Sequence, residues 1–250
     1  MNADGNAAPL RVRVWTMATA ELDEAAVAPW AAVLDAPERA RCARFAFAET
    51  RLAFIAAHAL TRAALAAATG AGVAEFGFAA APHGKPEALL GGVAVGVAFN
   101  LSHTDGAVGV AVAAERLPLG FDLEPLARRA PLEVAHRFFT AGEIAWLDAL
   151  PSARRGEGFF RLWTLKEAFI KATGKGLTQD LSSFWFAFDP PAIRFAPEVG
   201  ERGEDWHFAQ RIVPGGGLAA IGVRNAGRAV ELVWEEQDPA SFDPATGRAG

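Results

Sequence analysis

The chain has 250 residues, 52% of them hydrophobic and 21% charged, which is the composition of a folding protein and not of a disordered one. Its 24 Lys and Arg residues against 29 Asp and Glu residues give a formal net charge of −5, which argues against a dedicated nucleic-acid-binding protein because such proteins are usually basic. A single cysteine, Cys42, excludes an internal disulfide and a cysteine-cluster zinc site, and it favours a reducing compartment.

Targeting signals are not evident in the sequence. Residues 1–9 carry no basic stretch followed by an apolar core, so no secretory signal is predicted. The most membrane-like segment, 52–69, is interrupted by His58 and Arg62 and owes its apolar content mainly to alanine. We interpret it as a buried helix, and we expect a cytoplasmic protein with no membrane contact.

The first part of the chain predicts both helices and strands. In chain order the elements are a strand (10–16), helices (21–34 and 37–69), a turn (82–86), and two buried strands (93–99 and 107–113) joined by a polar turn (100–106). Alanine, leucine, glutamate and arginine dominate the helical segments, and β-branched or apolar residues dominate the strands.

The second part of the chain repeats this mixture. Its predicted elements are a strand (119–123), helices (132–139, 141–150 and 159–173), and strands (184–188, 206–213, 218–223 and 230–235). Each part thus contains helices followed by strands, which indicates an α+β fold. We predict a first half over 1–114, a second half over 115–236, and a disordered tail over 237–250 that is rich in proline, glycine and polar residues.

Two acidic residues lie two positions apart at the end of the strand predicted over 119–123, one inside the strand and one directly after it. Residues two apart in a strand point to the same side, so Asp122 and Glu124 present two carboxylates on one face. Such a pair suits Mg²⁺, which prefers a few carboxylates together with substrate phosphate and water. The alternative is a solvated strand edge.

The helix predicted over 159–173 is mostly apolar but carries Glu167 and Lys171, which lie four residues apart on one face. One interpretation is an exposed ion pair of about 0.3–0.5 kcal/mol. The other makes Glu167 the third carboxylate of a metal site with Asp122 and Glu124, and turns Lys171 toward a phosphate. The aromatic residues around this pair favour the second interpretation.

Basic residues are concentrated in one segment of this acidic chain. Residues 37–62 contain five arginines against two glutamates, a pattern that fits either an anion-binding patch or a solvated helix face. Lys85, in a Gly-Lys-Pro turn, and the Ser102-His103 pair add possible anion contacts.

Together these motifs resemble a 4'-phosphopantetheinyl transferase of the surfactin-synthetase-activating (Sfp) type. The ordered set that carries the resemblance is the arginine-rich first segment, Gly84-Lys85-Pro86, Phe99-Asn100-Leu101-Ser102-His103, Gly120-Phe121-Asp122-Leu123-Glu124, Arg137-Phe138-Phe139, Trp163-Thr164-Leu165-Lys166-Glu167-Ala168-Phe169-Ile170-Lys171 and Gly174-Lys175-Gly176-Leu177. It spans the chain from about residue 37 to residue 181.

The resemblance implies a fold of two similar α+β halves related by a pseudo-twofold axis, with coenzyme A between them. It implies Mg²⁺-dependent transfer of the 4'-phosphopantetheine arm of coenzyme A to a serine of an apo acyl, peptidyl or aryl carrier protein, with release of adenosine 3',5'-bisphosphate. Fatty-acid, polyketide and nonribosomal peptide carriers are all open as acceptors. The chain is about twice as long as the small trimeric holo-synthases, which favours a monomer with secondary-metabolite or broad acceptors.

The resemblance also assigns site residues by position. Asp122, Glu124 and Glu167 match the Mg²⁺ ligands, and either Glu167 or a metal-bound water is the candidate base. Lys171 matches the pyrophosphate contact. The remaining assignments are Ser102 and His103 to phosphate, Lys85 to the loop flanking the adenine, and Arg39 and Arg41, or alternatively Arg51, to the 3'-phosphate.

Two other functions fit the same residues. A metal-dependent phosphoesterase acting on coenzyme A or a related nucleotide would use the carboxylates to activate water. A noncatalytic carrier-binding module would need no metal.

Overall fold

A computed structural model gives the structure of the chain and describes residues 8–80, 85–176, 179–188, 190–246 and 248–249. The helices in these residues are α1 (Glu24–Ala31), α2 (Ala36–Cys42), α3 (Ala48–Thr69), α4 (Ala135–Phe138), α5 (Ala141–Ala149) and α6 (Arg155–Thr173). The strands are β1 (Leu10–Ala18), β2 (Phe76–Ala80), β3 (Pro86–Leu90), β4 (Val93–Ala94), β5 (Ala98–Thr104), β6 (Ala107–Ala113), β7 (Leu119–Pro125), β8 (Phe184–Ala187), β9 (Ala192–Phe195), β10 (Trp206–Val213), β11 (Gly217–Arg224), β12 (Val230–Gln237), β13 (Phe242–Asp243) and β14 (Arg248–Ala249). Residues 82–84 of the predicted turn and Leu177 of the last motif lie outside the described residues.

Two larger sheets each carry one long helix. The first sheet has the order β12-β1-β6-β5 and packs against α3, and the second has the order β10-β11-β7 and packs against α6. The edges of the two sheets meet where β5 lies beside β7, and the backbone N–H of Phe121 donates to Oδ1 of Asn100 across that junction (2.8 Å). The predicted α+β fold is confirmed.

Helix α3 is the central helix of the first half. Its alanine-rich sequence favours the helix, and Gly70 ends it in the left-handed conformation with φ 79°. By length and composition α3 could cross a membrane, but 67% of its most apolar window is buried inside the protein. Residues 52–69 thus form the buried helix that the sequence predicts.

The continuous helix predicted over 37–69 is wrong, because two helices occupy this region. The chain leaves α2 after Cys42 and enters α3 at Ala48. Within the break, Phe45 packs against Phe54 with ring centroids 5.2 Å apart. Partial burial of this aromatic ring favours the bend over a straight helix.

The strand predicted over 93–99 and the polar turn predicted over 100–106 are also corrected. The first two residues of that span form the separate strand β4, and β5 pairs with β6 along its whole length, so that Asn100 and Ser102 lie inside a strand. Both polar side chains are buried and have hydrogen-bond partners in the second half, which allows them to occupy a sheet interior.

The predicted limits of the second half, 115–236, are wrong for its last strand, because β12 pairs in parallel with β1 and completes the first sheet. The tail over 237–250 is predicted to be disordered, but Phe242, in its described part, packs on the first half. Phe242 is buried edge-on against Trp30 (ring centroids 5.3 Å apart), and its carbonyl accepts a hydrogen bond from Nε1 of Trp30 (3.2 Å). Burial of this one aromatic ring supplies the apolar contact that orders the segment.

Lys166 of α6 is structural. It is almost fully buried, and its Nζ lies 3.0 Å from Oε2 of Glu143 and donates to the carbonyls of Leu181 and Phe184 at 2.9 Å each. A buried charge with three oxygen partners satisfies the requirement that such groups be paired. The motif lysine therefore fixes α6 against α5 and β8 and stays away from solvent.

Strand β7 and helix α6 approach each other at backbone contact. A Cβ on Gly120 would lie 1.9 Å from the carbonyl oxygen of Ala168 and 2.5 Å from the backbone nitrogen of Ala172, so only glycine fits there. This contact sets the strand of Asp122 and Glu124 directly against the helix that carries Glu167 and Lys171.

Candidate active site

A cavity of about 750 Å³ opens where the two halves meet. Its walls are the end of β5 with the following turn, the middle of β7, the first turn of α3, and Lys171 of α6. Four of the predicted site residues, Ser102, His103, Asp122 and Glu124, line it as well. The cavity thus gathers candidate residues from both halves.

Lys171, Asp122 and Ser102 form a hydrogen-bonded cluster at the base of this cavity. The ammonium group of Lys171 lies 2.6 Å from Oδ1 of Asp122 and donates to Oγ of Ser102 (3.1 Å) and to the carbonyl of Phe121 (3.2 Å). Oδ2 of Asp122 is buried and has no hydrogen-bond partner among the described residues. A buried carboxylate oxygen without a donor is costly, so this atom is suited to a ligand that brings positive charge or a donor.

Glu124 lies two residues further along β7. Burial and the neighbouring charge of Asp122 raise its pKa, while the charge of Arg128 and a hydrogen bond with Trp163 act in the opposite direction. Nη2 of Arg128 donates to Oε2 of Glu124 at 3.1 Å. Glu124 is thus held in place from two sides at the cavity wall.

Glu167 has the most strongly shifted carboxyl group of the site. Burial raises its pKa to about 7, the charges of Asp122 and Glu124 add to the rise, and the charge of Lys171 opposes it. A carboxyl with a pKa near neutrality can accept or release a proton under ordinary conditions. The charges of Asp122 and Glu124 thus disfavour ionisation of Glu167.

The three carboxyl groups fit a hard divalent cation by their chemistry. All are oxygen donors, Oδ2 of Asp122 is unpartnered, and a cation would relieve the repulsion that raises the pKa of Glu167. Among the described residues, however, no three His, Cys, Asp or Glu side chains are close enough to hold a metal as they stand, and Lys171 neutralises Asp122 instead. Metal binding by Asp122, Glu124 and Glu167 stays a prediction.

A second cavity of about 410 Å³ adjoins the first, and His103 lines both. Phe54 and Phe78 give it aromatic walls, and Arg41 and His58 add basic groups. The guanidinium of Arg41 lies 5.4 Å from the centre of the Phe54 ring. A flat apolar space edged by basic groups suits a planar base that carries a phosphate.

The other predicted arginines lie elsewhere. Arg39 donates to the carbonyl of Leu34, and Arg51 pairs with Glu24. Neither is among the described residues that line the two cavities. Of the three arginines predicted to contact the 3'-phosphate, the structure brings only Arg41 to a cavity wall within the described part of the chain.

His103 is open to solvent on one side at the mouth of both cavities. Partial burial between the cavity walls lowers its pKa, and the positive charges of Lys171, His58 and Arg41 lower it further. The ring is therefore largely neutral at pH 7 in the free protein. It would gain a proton more readily beside a bound anion.

Lys85, predicted to lie in the loop flanking the adenine, is bound at the junction of the halves. Its Nζ donates to the carbonyls of Leu119 (2.8 Å) and Lys171 (3.1 Å). Burial lowers its pKa to about 8. Pro86, the next residue, lines the second cavity.

A buried ionic cluster behind the second cavity was not predicted from the sequence. Glu38 accepts hydrogen bonds from Nδ1 of His58 (2.6 Å) and from Nη2 of the fully buried Arg62 (2.6 Å). Burial alone would raise the pKa of Glu38, but the bonds from His58 and the backbone of Asp35, with the charge of Arg62, bring it below the ordinary value. The cluster fixes the ring of His58 at the cavity wall.

Residues of the site that the sequence did not indicate include His58, Arg128 and Trp163. His58 is one of few polar residues in the alanine-rich α3, and the basic pair at 128–129 closely follows Glu124, so both positions carried a weak signal. Trp163 belongs to the motif around Glu167, but its bond with Glu124 joins two elements that are 39 residues apart in sequence. No local pattern could have indicated that contact.

Comparisons with known proteins show the family of the chain. The model of the 4'-phosphopantetheinyl transferase superfamily matches residues 118–219, a span that contains Asp122, Glu124, Glu167 and Lys171. The chain is 33% identical over 202 residues to the 4'-phosphopantetheinyl transferase HetI of Nostoc sp. (strain PCC 7120 / SAG 25.82 / UTEX 2576), covering 79% of this chain and 81% of that protein.

Further relatives match shorter spans. A 4'-phosphopantetheinyl transferase of Bacillus subtilis is 34% identical over 155 residues, covering 61% of this chain and 66% of the relative. The 4'-phosphopantetheinyl transferase Sfp of Bacillus subtilis (strain 168) is 40% identical over 86 residues, or 34% and 37% of the two chains. With a relative 33% identical and matched over four fifths of its length, the chain belongs to the 4'-phosphopantetheinyl transferase superfamily.

Proposed function

We propose that this chain transfers the 4'-phosphopantetheine arm of coenzyme A to a serine hydroxyl of an apo acyl, peptidyl or aryl carrier protein. The observation that carries the proposal is the ion pair of Lys171 and Asp122 (2.6 Å), which lies with Glu124 on the wall of the cavity where the two halves meet. Glu167 lies one helical turn before Lys171 on α6. The adjoining cavities of about 750 Å³ and 410 Å³ offer room for an elongated nucleotide with a pantetheine arm.

Basic and polar side chains along the two cavities suggest where the pyrophosphate and the 3'-phosphate of coenzyme A would bind. Lys171 and Ser102, already hydrogen-bonded to each other, would bind the pyrophosphate, and His103 lies between the two cavities. Arg41 and the ring of His58 would face the 3'-phosphate at the edge of the aromatic cavity, while Phe54 and Phe78 would enclose the adenine.

The reaction exchanges one phosphorus–oxygen bond for another. The serine oxygen attacks the β-phosphorus of coenzyme A, the bond from that phosphorus to the bridging oxygen breaks, and adenosine 3',5'-bisphosphate leaves with the electron pair. Glu167 would accept the hydroxyl proton. Lys171 would stabilise the negative charge on the phosphate oxygens.

Asp122, Glu124 and Glu167 would hold Mg²⁺. When bound, the ion supplies positive charge to the phosphate oxygens, as hard divalent cations do in phosphoryl transfer. The buried, unpartnered Oδ2 of Asp122 supports this assignment.

The proposal extends to a monomer in the cytoplasm that acts on fatty-acid, polyketide or nonribosomal peptide carriers. The single cysteine, Cys42, is compatible with a reducing compartment. The two halves that form the cavity come from one chain, so no second copy is needed to complete the site.

Intact mass spectrometry of an apo carrier protein tests the function directly. With coenzyme A and Mg²⁺ the wild-type protein should add one phosphopantetheine arm to the carrier, and Asp122→Asn or Glu167→Gln should reduce the rate at least 100-fold while circular dichroism stays unchanged. Asp148→Asn is the matched control, because Asp148 is an exposed acid on α5 outside both cavities.

The same assay separates the other two functions. Release of free phosphopantetheine without modification of any carrier would establish a phosphoesterase instead. Carrier binding that is equally tight in a chelator, without any mass change, would establish a binding module. Near-normal transfer by either variant in saturating Mg²⁺ would contradict the assignment of the acids.

A further inference from the structure

The side chain of Lys85 connects the first half of the molecule to both elements of the second half that carry the acids. Lys85 precedes β3, whereas its two hydrogen-bond partners, the carbonyls of Leu119 and Lys171, belong to the first residue of β7 and the last turn of α6. Both partners are backbone groups, so the contact fixes the positions of the chain segments themselves.

These two carbonyls flank the closest approach of β7 to α6. Gly120 follows Leu119, Ala172 follows Lys171, and a Cβ on Gly120 would lie 2.5 Å from the backbone nitrogen of Ala172. The carbonyl of Lys171 also lies in the last turn of a helix, where carbonyls lack partners within the helix and carry partial negative charge. A lysine ammonium is favourable at such a position.

Lys171 is therefore held at both ends. Lys85 binds its carbonyl, and Asp122, Ser102 and the carbonyl of Phe121 bind its ammonium. A displacement of α6 along β7 would move that ammonium relative to Asp122. Misplacement of a catalytic group by about 1 Å can lower a rate by about 100-fold.

We propose that Lys85 is a positioning residue for the transfer reaction. It fixes the backbone of Lys171 against β7 from the opposite half of the molecule, and its ammonium does this without binding coenzyme A. The inference rests on the proposed function, and it gives the lysine of the Gly-Lys-Pro turn a role at the junction of the halves. Loss of this contact should lower kcat and leave the KM for coenzyme A nearly unchanged.

The test compares Lys85→Met, Lys85→Arg and Arg116→Met in the full chain, with kcat and the KM for coenzyme A measured by intact mass of the carrier. Methionine keeps a long apolar stem but no donor, and arginine keeps charge and donors. Arg116 is the matched control because it is a nearby exposed cation that pairs with Glu87, and among the described residues it forms no hydrogen bond or ion pair with α6 or β7.

We expect kcat of Lys85→Met to fall at least tenfold with KM within twofold, Lys85→Arg to keep kcat within threefold, and Arg116→Met to match the wild type within twofold. A KM raised fivefold or more at unchanged kcat would show that Lys85 binds coenzyme A, which overturns the proposal. If Lys85→Met does not fold, Lys85→Arg decides: kcat within threefold and KM within twofold of the wild type support the proposal, and a KM raised fivefold or more at unchanged kcat overturns it.

Amide hydrogen exchange gives a readout that does not depend on activity. In Lys85→Met, exchange should accelerate in the last turn of α6 and at the start of β7, and it should stay unchanged in α5. Unchanged exchange at both sites overturns the proposal. If the wild-type protein transfers no arm, the proposed function fails, while the exchange experiment still tests the role of Lys85 in the structure.

Discussion

At the scale of single residues, the site places carboxyl groups near one another, and basic side chains offset part of their repulsion. Asp122 is matched by Lys171 and Glu124 by Arg128, whereas Glu167 has a pKa of about 7 because burial and two acids outweigh the one lysine. A folded structure that keeps such a group does so at a cost in stability. A cost of this kind is typical of sites that bind a cation or move a proton.

This cost predicts how the metal-free protein responds to pH. The pKa of Glu167 rises from an ordinary value of 4.5 to about 7 on folding, so the folded state binds the extra proton more tightly than the unfolded state. Stability from this group is complete below about pH 4.5 and is lost as pH rises through about 7. We expect the loss to be about 1–2 kcal/mol after allowance for solvent screening of the partly exposed side chain.

Urea unfolding in a chelator, from pH 5 to pH 8, measures this loss. Glu167→Gln cannot ionise, so its stability relative to the wild type should increase across the range and be greatest at pH 8. Taking the difference between the two proteins cancels the contributions of His103 and Lys85, whose pKa shifts have causes other than Glu167. Parallel curves for the two proteins would show that the pKa of Glu167 is close to its ordinary value.

The acids themselves could be predicted from the sequence, because spacing in a strand and in a helix is a local property. Asp122 and Glu124 lie on one strand, and Glu167 and Lys171 lie one helical turn apart, as predicted. The partners of Lys85 and the bond between Glu124 and Trp163 depend on how distant elements pack, and no residue pattern contains that information.

At the scale of elements, the contact between β7 and α6 determines the geometry of the site. Gly120 allows the two backbones to touch, and the residues on either side of this contact carry Asp122 and Lys171. The sequence predicts the bounds of both elements to within a few residues, but it does not predict how closely their backbones approach. A glycine in a strand indicates either a close backbone approach or a bulge. The break between α2 and α3 was missed for a similar reason, because Phe45 turns inward for a tertiary contact.

Gly120→Ala should therefore disrupt both stability and activity. Its methyl group would meet the carbonyl of Ala168 at 1.9 Å, and a helix backbone cannot move as a side chain can. We expect a loss of about 3 kcal/mol in urea unfolding and, in protein that remains folded, at least tenfold slower transfer, because β7 and α6 must separate.

Gly142→Ala in α5 is the control for that substitution. A Cβ at Gly142 would meet no atom within 4 Å, and alanine favours the helix, so stability should rise by up to about 0.5 kcal/mol with unchanged transfer. Equal stability of the Gly120→Ala protein and the wild type would show that β7 and α6 are not in backbone contact.

At the scale of the whole molecule, the two halves share an apolar cluster and exchange chain segments, which the order of elements along the chain does not indicate. One apolar cluster joins β1 and β6 of the first sheet to β7 and β11 of the second. Strand β12 comes last among the longer strands yet pairs with β1, and Phe242 returns to Trp30. A division by sequence at 114 was reasonable from composition, but strand pairing between distant segments is not visible in periodicity.

This sharing predicts that the protein unfolds as one cooperative unit and that its first half does not fold alone. Leu10, Val12 and Val14 are at most 1% exposed, and they are covered by residues such as Phe121 and Ile221 of the second half. A fragment over 1–114 would expose this surface and lose the parallel partner of β1, so we expect no near-ultraviolet circular dichroism and no sharp transition. The full chain should show one transition, coincident by circular dichroism and tryptophan fluorescence.

A chain over 1–237 is the matched control for the fragment, because it keeps β12 and loses only the segment that carries Phe242. It should unfold in a single transition at a lower temperature than the full chain, since removing a buried phenylalanine from a core costs about 3 kcal/mol or more. Two separate transitions in the full chain, or a sharp one in the fragment over 1–114, would show that the halves are independent domains. The cavity between them would then form by docking of two preformed units. The apolar cluster that joins β1, β7 and β11 would not determine its shape.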